Sequence, residues 1–387
     1  MDIKTYIKIL SDKSLMDYTK MKYKYSSDFS DFLATLKDIS YRSLAINDFK
    51  GNNAVYMKDY VALNVETIKL MTYIQSNNNY GFKAAEDEIV ASNAIENINF
   101  SRESIRNILK GLAPKDDIEN RILGQKKGLE FIADKNNKIT EENLYKLYMM
   151  MVGDFLDDEN KLLDGKYYRH DTVYVVGDKV EHSGLDYRKL SEYMSALIEF
   201  INEKDNISDF HKGAIIHFYL VHLHPYFDGN GRMARMLHLW FLIQKGYAAT
   251  LFVPFSSLIE RDRNAYYKAI SQVESNQKIT NTLDITPFIK YFSEYVYSKI
   301  PENTVNNQTF DKYDKALKDG MITEKETQLW SFVITNYGFD GFSTKQLEKD
   351  FGNAAYATIR SFVLKFEQLE LLSSQKYGNR VKYSIKP

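Results

Sequence analysis

Residues 221–240, VHLHPYFDGNGRMARMLHLW, constrain this chain more than any other stretch. Ile215, Ile216, Phe218, Leu220 and Val221 before it, and Met233, Met236, Leu237, Leu239 and Trp240 after it, recur at helical spacing, so a helix arrives, breaks and restarts. The glycines flanking Asn230 free the backbone to turn its N–H groups inward, and the helix starting there adds the positive end of its dipole. Such a loop is built to hold an anion such as phosphate. Arg232 and Arg235, three positions apart on the first turn, share a face and could grip two successive phosphates of a nucleotide tail. Asp228 at the loop's edge needs a cation between its carboxylate and phosphate oxygens, and Mg²⁺ is the expected one. His224 adds a residue type suited to general base work.

Composition narrows what the loop can serve. At 387 residues the chain is long enough for about two or three domains with real cores. Its 51 Lys and Arg against 52 Asp and Glu exclude a bulk charge that would draw it to nucleic acid or an anionic membrane, so a polyanion site must be local. The absence of cysteine excludes disulfides, thiolate metal sites and thiol catalysis, and fits a reducing compartment. MDIKTYIKILSDK lacks a long apolar run, so neither signal peptide nor membrane span is expected there; the predicted location is cytoplasmic.

The pattern predicts a mainly α protein. Residues 1–115 read as a helical region, with two helices between Ala84 and Leu112 separated near Ser101, a candidate cap. Residues 116–300 continue as helices, broken by DTVYVVGDKVEHSG, whose alternating β-branched residues around Gly177-Asp178 give the first clear strand signal, a short hairpin. The Asn/Thr/Pro-rich stretch from Pro301 places a linker over 301–322. Residues 323–387 then read as a winged helix-turn-helix: a helix capped by Ser343 or Thr344, a turn at Gly352-Asn353, a longer helix, and two strands joined through Gly378-Asn379.

His224-Pro225-Tyr226-Phe227-Asp228-Gly229-Asn230-Gly231-Arg232-Met233-Ala234-Arg235 resembles the signature of Fic-domain proteins, with Tyr226 where Phe is usual. The resemblance runs from about Glu86 to Tyr297 and implies a Fic-type helical bundle with a hairpin flap. It also implies AMPylation, the transfer of AMP from ATP to a Ser, Thr or Tyr hydroxyl of a target protein, this chain itself included. On that resemblance His224 is the base, Asp228 holds Mg²⁺, Gly229, Asn230 and Gly231 line the anion hole, and Arg232 and Arg235 hold the outer phosphates. Val175, Val176 and Gly177 lie in the flap over nucleotide and target, although VYVVG admits two registers, and Tyr267 matches a position beside the adenine. Ser92, Glu96 and Asn97 in SNAIEN look like the family's inhibitory motif, on a helix around 86–97 ahead of the catalytic loop. Glu96 would then pair with Arg235 and keep ATP in a non-productive pose.

Other readings of the same residues lead elsewhere. His217, His222 and His224 make a poor metal cluster, since no carboxylate or cysteine is spaced to complete it and packing in an apolar helix accounts for the first two. Lys376, Arg380, Lys382 and Lys386 make the end of the chain locally basic, but NAAYATIRSF offers a DNA groove only Arg360, so protein docking or self-association competes with DNA binding there. Two alternative functions follow: a nucleotide-sensing, DNA-binding transcription regulator, or removal of AMP from a modified protein. Gly231 favours AMP transfer over the family's phosphorylating branch, which carries Lys at that place.

Overall fold

The computed structural model describes residues 2–73, 81–176, 180–300, 307–337, 341–378 and 380–386, and within them the chain is mostly helical. It opens with α1 (Ile3–Leu10), α2 (Tyr18–Lys24) and α3 (Phe29–Ser40). Asp2 and Asp17 start the first two by accepting from the N–H groups of Thr5 and Lys20. Ile9, Tyr18, Met21, Phe32 and Leu36 on their inner faces form a small separate core that closes on Met57.

The next segment corrects the expectation of helix alone before residue 115. It is an antiparallel hairpin, β1 (Tyr41–Asn47) and β2 (Asn53–Met57). Asp48 builds the turn: its Oδ1 accepts from the N–H groups of Lys50 and Asn52, while Gly51 takes a left-handed φ of +87°. Remote chain completes the pairing, because Val55 donates to Leu283 and accepts from Ile285.

α4 (Val65–Tyr73) leads to α5 (Phe82–Ile95), α6 (Arg102–Leu109), α7 (Asp117–Ala133) and α8 (Glu141–Met151). Ser101 caps α6 as expected, accepting from Glu103 and Ser104. The flap is β3 (Tyr174–Val176) paired antiparallel with β4 (Val180–Ser183), Tyr174 opposite Ser183; Gly177 lies outside the described residues. α9 (Leu190–Asn202) then precedes α10 (Asp209–Leu223) and α11 (Asn230–Gln244), which are buried on nearly every face and form the centre of the main core. α12 (Phe255–Arg261) and α13 (Arg263–Thr280) break at Asp262, which caps the latter through the Ala265 N–H. α14 (Thr286–Tyr291) runs on through a wider and then a tighter turn to Lys299. No described helix is long and apolar enough to cross a membrane.

The stretch predicted as a linker is also corrected. Residues 301–306 lie outside the described set, but α15 (Asn307–Lys318) is a helix whose Tyr313 stacks on Trp330 at 5.7 Å, with Ala316 buried beside it. α16 (Glu324–Asn336) is a helix that the sequence reading did not give; α17 (Thr344–Phe351), α18 (Tyr356–Gln368), β5 (Leu372–Tyr377) and β6 (Arg380–Ile385) then follow in the order the sequence suggests. Ser343 caps α17, and Gly352 ends it at φ +68°. This unit leans on the rest of the chain: Asn336 donates to the Phe252 carbonyl, and a Cβ on Gly352 would lie 2.8 Å from Phe82 at the start of α5.

Candidate functional site

α10 ends on His224, a non-glycine residue in the left-handed region at φ +53°, a conformation that costs about 1 kcal/mol. Its N–H donates to the Leu220 carbonyl at 3.0 Å. The chain turns back at Gly229, φ +82°, where a side chain would collide with Val152. Asn230 staples the loop across four residues, its Oδ1 accepting from the Tyr226 N–H at 3.0 Å and its Nδ2 donating to the Tyr226 carbonyl at 2.8 Å. Beneath the loop the buried Tyr226 ring lies flat on Tyr148, centroids 3.8 Å apart. The loop is therefore held by its own side chains before any ligand arrives.

The two arginines of α11 reach different partners. Arg232 donates to Asp228 Oδ2 at 3.0 Å, and Asp228 Oδ1 accepts from the Gly229 N–H at 2.5 Å. Buried Arg235 turns to α5, with Nε on Ser92 Oγ at 3.0 Å and Nη2 on the Ser92 carbonyl and Glu96 Oε1, both at 2.8 Å. Burial alone would lower the Arg235 pKa, but the Glu96 carboxylate beside it outweighs that and the pKa rises. Arg232 Nε and Arg235 Nη1 are buried with no hydrogen-bond partner among the described residues, an arrangement that leaves donors for an anion. A Cβ on Gly231 would overlap Glu96 Oε1 and lie 3.2 Å from Arg235 Nη1, so the Glu96 carboxylate fills the space over this glycine.

α5 is braced to present that carboxylate. Glu88, Ser92 and Glu96 follow at four-residue steps and share one face. Glu88, fully buried, accepts from both the N–H and the hydroxyl of Ser256, and burial pushes its carboxyl pKa up. On another side Asn93 and Gln125 exchange side-chain hydrogen bonds of 2.7 and 3.0 Å. At the helix end, Arg263 donates to Asn97 Oδ1 at 2.7 Å and to the Ala94 carbonyl at 3.3 Å, while the Tyr267 hydroxyl donates to the Ile95 carbonyl at 3.2 Å. Asn97 itself is left-handed at φ +59°.

Of the residues singled out in the sequence, His224, Asp228, Gly229, Asn230, Gly231, Arg232 and Arg235 form one loop and helix start; Ser92 and Glu96 bond Arg235, while Asn97 and Tyr267 lie at the end of α5, on Arg263 and the Ile95 carbonyl. Val175 and Val176 lie in β3. His217 faces the Tyr266 hydroxyl at 3.0 Å and His238 at 3.4 Å, and His222 stacks on Phe49 at 4.3 Å, so packing takes up both. Sequence reasoning missed Arg169, Glu88, Arg263 and the Asn93–Gln125 pair. Their partners are backbone groups or residues far along the chain, so no spacing could reveal them.

The geometry can be set beside known proteins. A family model described as Fic/DOC family matches residues 138–242. Residues 138–242 carry that Fic match. It is 28% identical over 235 residues to the protein adenylyltransferase Fic of Aedes aegypti, covering 57% of this chain and 42% of that protein. With the protein of the same name from Nematostella vectensis it is 28% identical over 213 residues, covering 52% and 45%. The chain thus spans under half the length of these curated relatives. Among solved structures it aligns with a Fic family protein from Desulfovibrio desulfuricans G20 (17% identity, 78% of this chain and 86% of that one, TM-score 0.47) and with Fic-1 from C. elegans (20%, 66% and 72%, 0.45).

Proposed function

We propose that this chain transfers AMP from ATP to a protein hydroxyl and that α5 restrains the reaction. The observation that carries the reading is the pair of buried guanidiniums at the start of α11, each with a nitrogen that has no hydrogen-bond partner among the described residues, beside a left-handed glycine turn and next to His224. Backbone N–H groups and two arginines on one side suit a polyphosphate tail, and a histidine on the other suits a hydroxyl. The target oxygen gives its proton to His224 and attacks the α-phosphorus. The bond from that phosphorus to the β-phosphate oxygen breaks, and pyrophosphate leaves with its charge balanced by Arg232 and Arg235.

Mg²⁺ fits the donor set in one way. Asp228 is a lone carboxylate with its side chain more than half exposed, and Mg²⁺ bound to phosphates needs only one or two protein carboxylates. Asp228 would hold the ion, which would neutralise phosphate charge. Arg232, which donates to Asp228, would offer its guanidinium to phosphate.

Glu96 lies where an anion would sit, over Gly231 and on Arg235, which supports a restraining role: a carboxylate there competes with phosphate for the same guanidinium. Its partial exposure also supports a second reading, AMP removal, with Glu96 orienting a water. One assay separates the two: label from α-³²P-ATP enters protein under the first, and only preloaded AMP is released under the second. No incorporation by the Glu96→Gly protein with Mg²⁺ and lysate, alongside measurable ATP binding, would remove AMP transfer.

A further inference from the structure

Arg169 stands just before the flap. It is 2% exposed, and the carbonyls its guanidinium binds come from three separate segments. Nε donates to the His224 carbonyl at 2.8 Å, Nη1 to the Asp171 carbonyl at 2.6 Å, and Nη2 to the Leu185 carbonyl. Its own peptide N–H donates to Pro225 at 2.9 Å. Asp171 leads into β3, Leu185 leads out of β4, and His224 is the residue read above as the base. Two further bonds close the same joint: Gly184 N–H to the Val173 carbonyl and Leu185 N–H to the Leu223 carbonyl. Gly184 has no room for more, since a Cβ would lie 2.7 Å from Arg169 Nη2 and 3.0 Å from His224 Cβ.

Neutral carbonyls are poor compensation for burying a guanidinium, and burial lowers the Arg169 pKa accordingly. What they do use is its planar fork, which can donate along three directions at once where a lysine ammonium cannot match the spacing. His224 is also the residue that most needs holding, being left-handed without being glycine, and Arg169 secures its carbonyl while Leu220 secures its N–H.

We propose that Arg169 is a positioning residue that sets His224 and both ends of the flap in one register, so that the base and the hydroxyl laid along the flap meet in line. The inference rests on AMP transfer with His224 as base. Arg169 touches no reacting atom; it acts through the backbone of the residue that does.

The test uses the full chain carrying Glu96→Gly as the reference, with Arg169→Lys added. The expected result is a fall of about 100-fold in kcat for ³²P incorporation from α-³²P-ATP, with ATP Kd by calorimetry shifted less than about threefold. Amide exchange should quicken in the described flap residues flanking 177–179 and at 184–185, but stay slow in α11. Arg169→Ala serves as the second variant: guanidinium ion in the buffer should restore part of the transfer, and methylammonium at equal concentration should not. Wild-type transfer and wild-type flap exchange in Arg169→Lys would overturn the proposal. So would a loss of transfer accompanied by equal loss of ATP binding and by faster exchange throughout, which is what a merely structural arginine gives. If the Glu96→Gly reference transfers no label, the functional reading fails on its own. Exchange then decides whether Arg169 couples flap and loop, and unchanged flap exchange rejects it.

Discussion

Glu96 accepts a hydrogen bond from Arg235 at 2.8 Å although 139 positions separate them, and Ser92, one turn earlier, receives the other two bonds of the same guanidinium. Local sequence does not demand this contact. It exists because α5 packs along α11 and α12, and its consequence is that the most buried cation of the anion loop is already occupied.

If that occupancy restrains the enzyme, Glu96→Gly should raise AMP incorporation by at least about tenfold, since the carboxylate no longer competes with phosphate for the guanidinium. Arg235→Ala should abolish transfer, and adding Glu96→Gly to it should rescue nothing, if the arginine serves the nucleotide as proposed. Autoradiography of the four proteins over a range of ATP concentrations reads this directly. Equal labelling by wild type and Glu96→Gly would reduce SNAIEN to an ordinary helix end.

The Asn93–Gln125 exchange offers an independent handle on the same helix. Asn93→Ala leaves the buried Gln125 amide without its partner, which costs about 1–3 kcal/mol and loosens α5 from α7 without touching Arg235. The expected outcome is a lower unfolding midpoint together with higher transfer than wild type. A midpoint drop with unchanged transfer would show that this brace does not hold the restraint.

How much of this was legible beforehand depends on how local each feature is. The loop from His224 to Arg235 could be read because a helix break, two glycines and two arginines sit within one short stretch. The Ser101 and Ser343 caps were legible for the same reason. Glu96 opposite Arg235 came only through family resemblance, since side-chain periodicity says nothing about contacts between distant helices. The β1–β2 hairpin was missed although its ladder and its Asp48–Gly51 turn are local; only the added bonds of Val55 to Leu283 and Ile285 come from far along the chain. α15 was hidden because Tyr313, Ala316 and Leu317 are outnumbered by charges and become an apolar face only against Trp330. Arg169 carried no signal at all, its partners being carbonyls.

Tyr226 stands where the family signature has Phe, and its hydroxyl is buried with no hydrogen-bond partner among the described residues. Tyr226→Phe keeps the stacking on Tyr148 and removes an oxygen whose desolvation nothing offsets. Thermal unfolding should therefore stay level or move up by the equivalent of about 1 kcal/mol, with transfer unchanged. A clear fall in midpoint would mean that the hydroxyl has a partner, an ordered water for instance, that contributes to the fold.

Acid stability offers a test of the core that does not depend on function. Burial pushes His211 down to about 4 and His238 down to about 3, and His217 is held well below its ordinary value by burial and by His238. Each binds its proton more readily when unfolded, so as pH falls below about 6.5 the unfolded state gains protons that the folded state does not, and stability declines toward pH 4. Glu88 and Asp284 act the other way, since burial raises both carboxyls and their contribution is lost as pH rises through their folded values. Comparing wild type with His211→Phe cancels those carboxyls. His211 is buried, its Nε2 has no partner among the described residues, and Lys58 disfavours its charge further. The two proteins should unfold in urea at similar midpoints at pH 7.5. The phenylalanine variant should then gain on wild type as pH falls, by about 1.4 kcal/mol per unit below 6.5 and so about 2 kcal/mol at pH 5. Parallel profiles across that window would mean that His211 is solvated well enough to take a proton in the folded state.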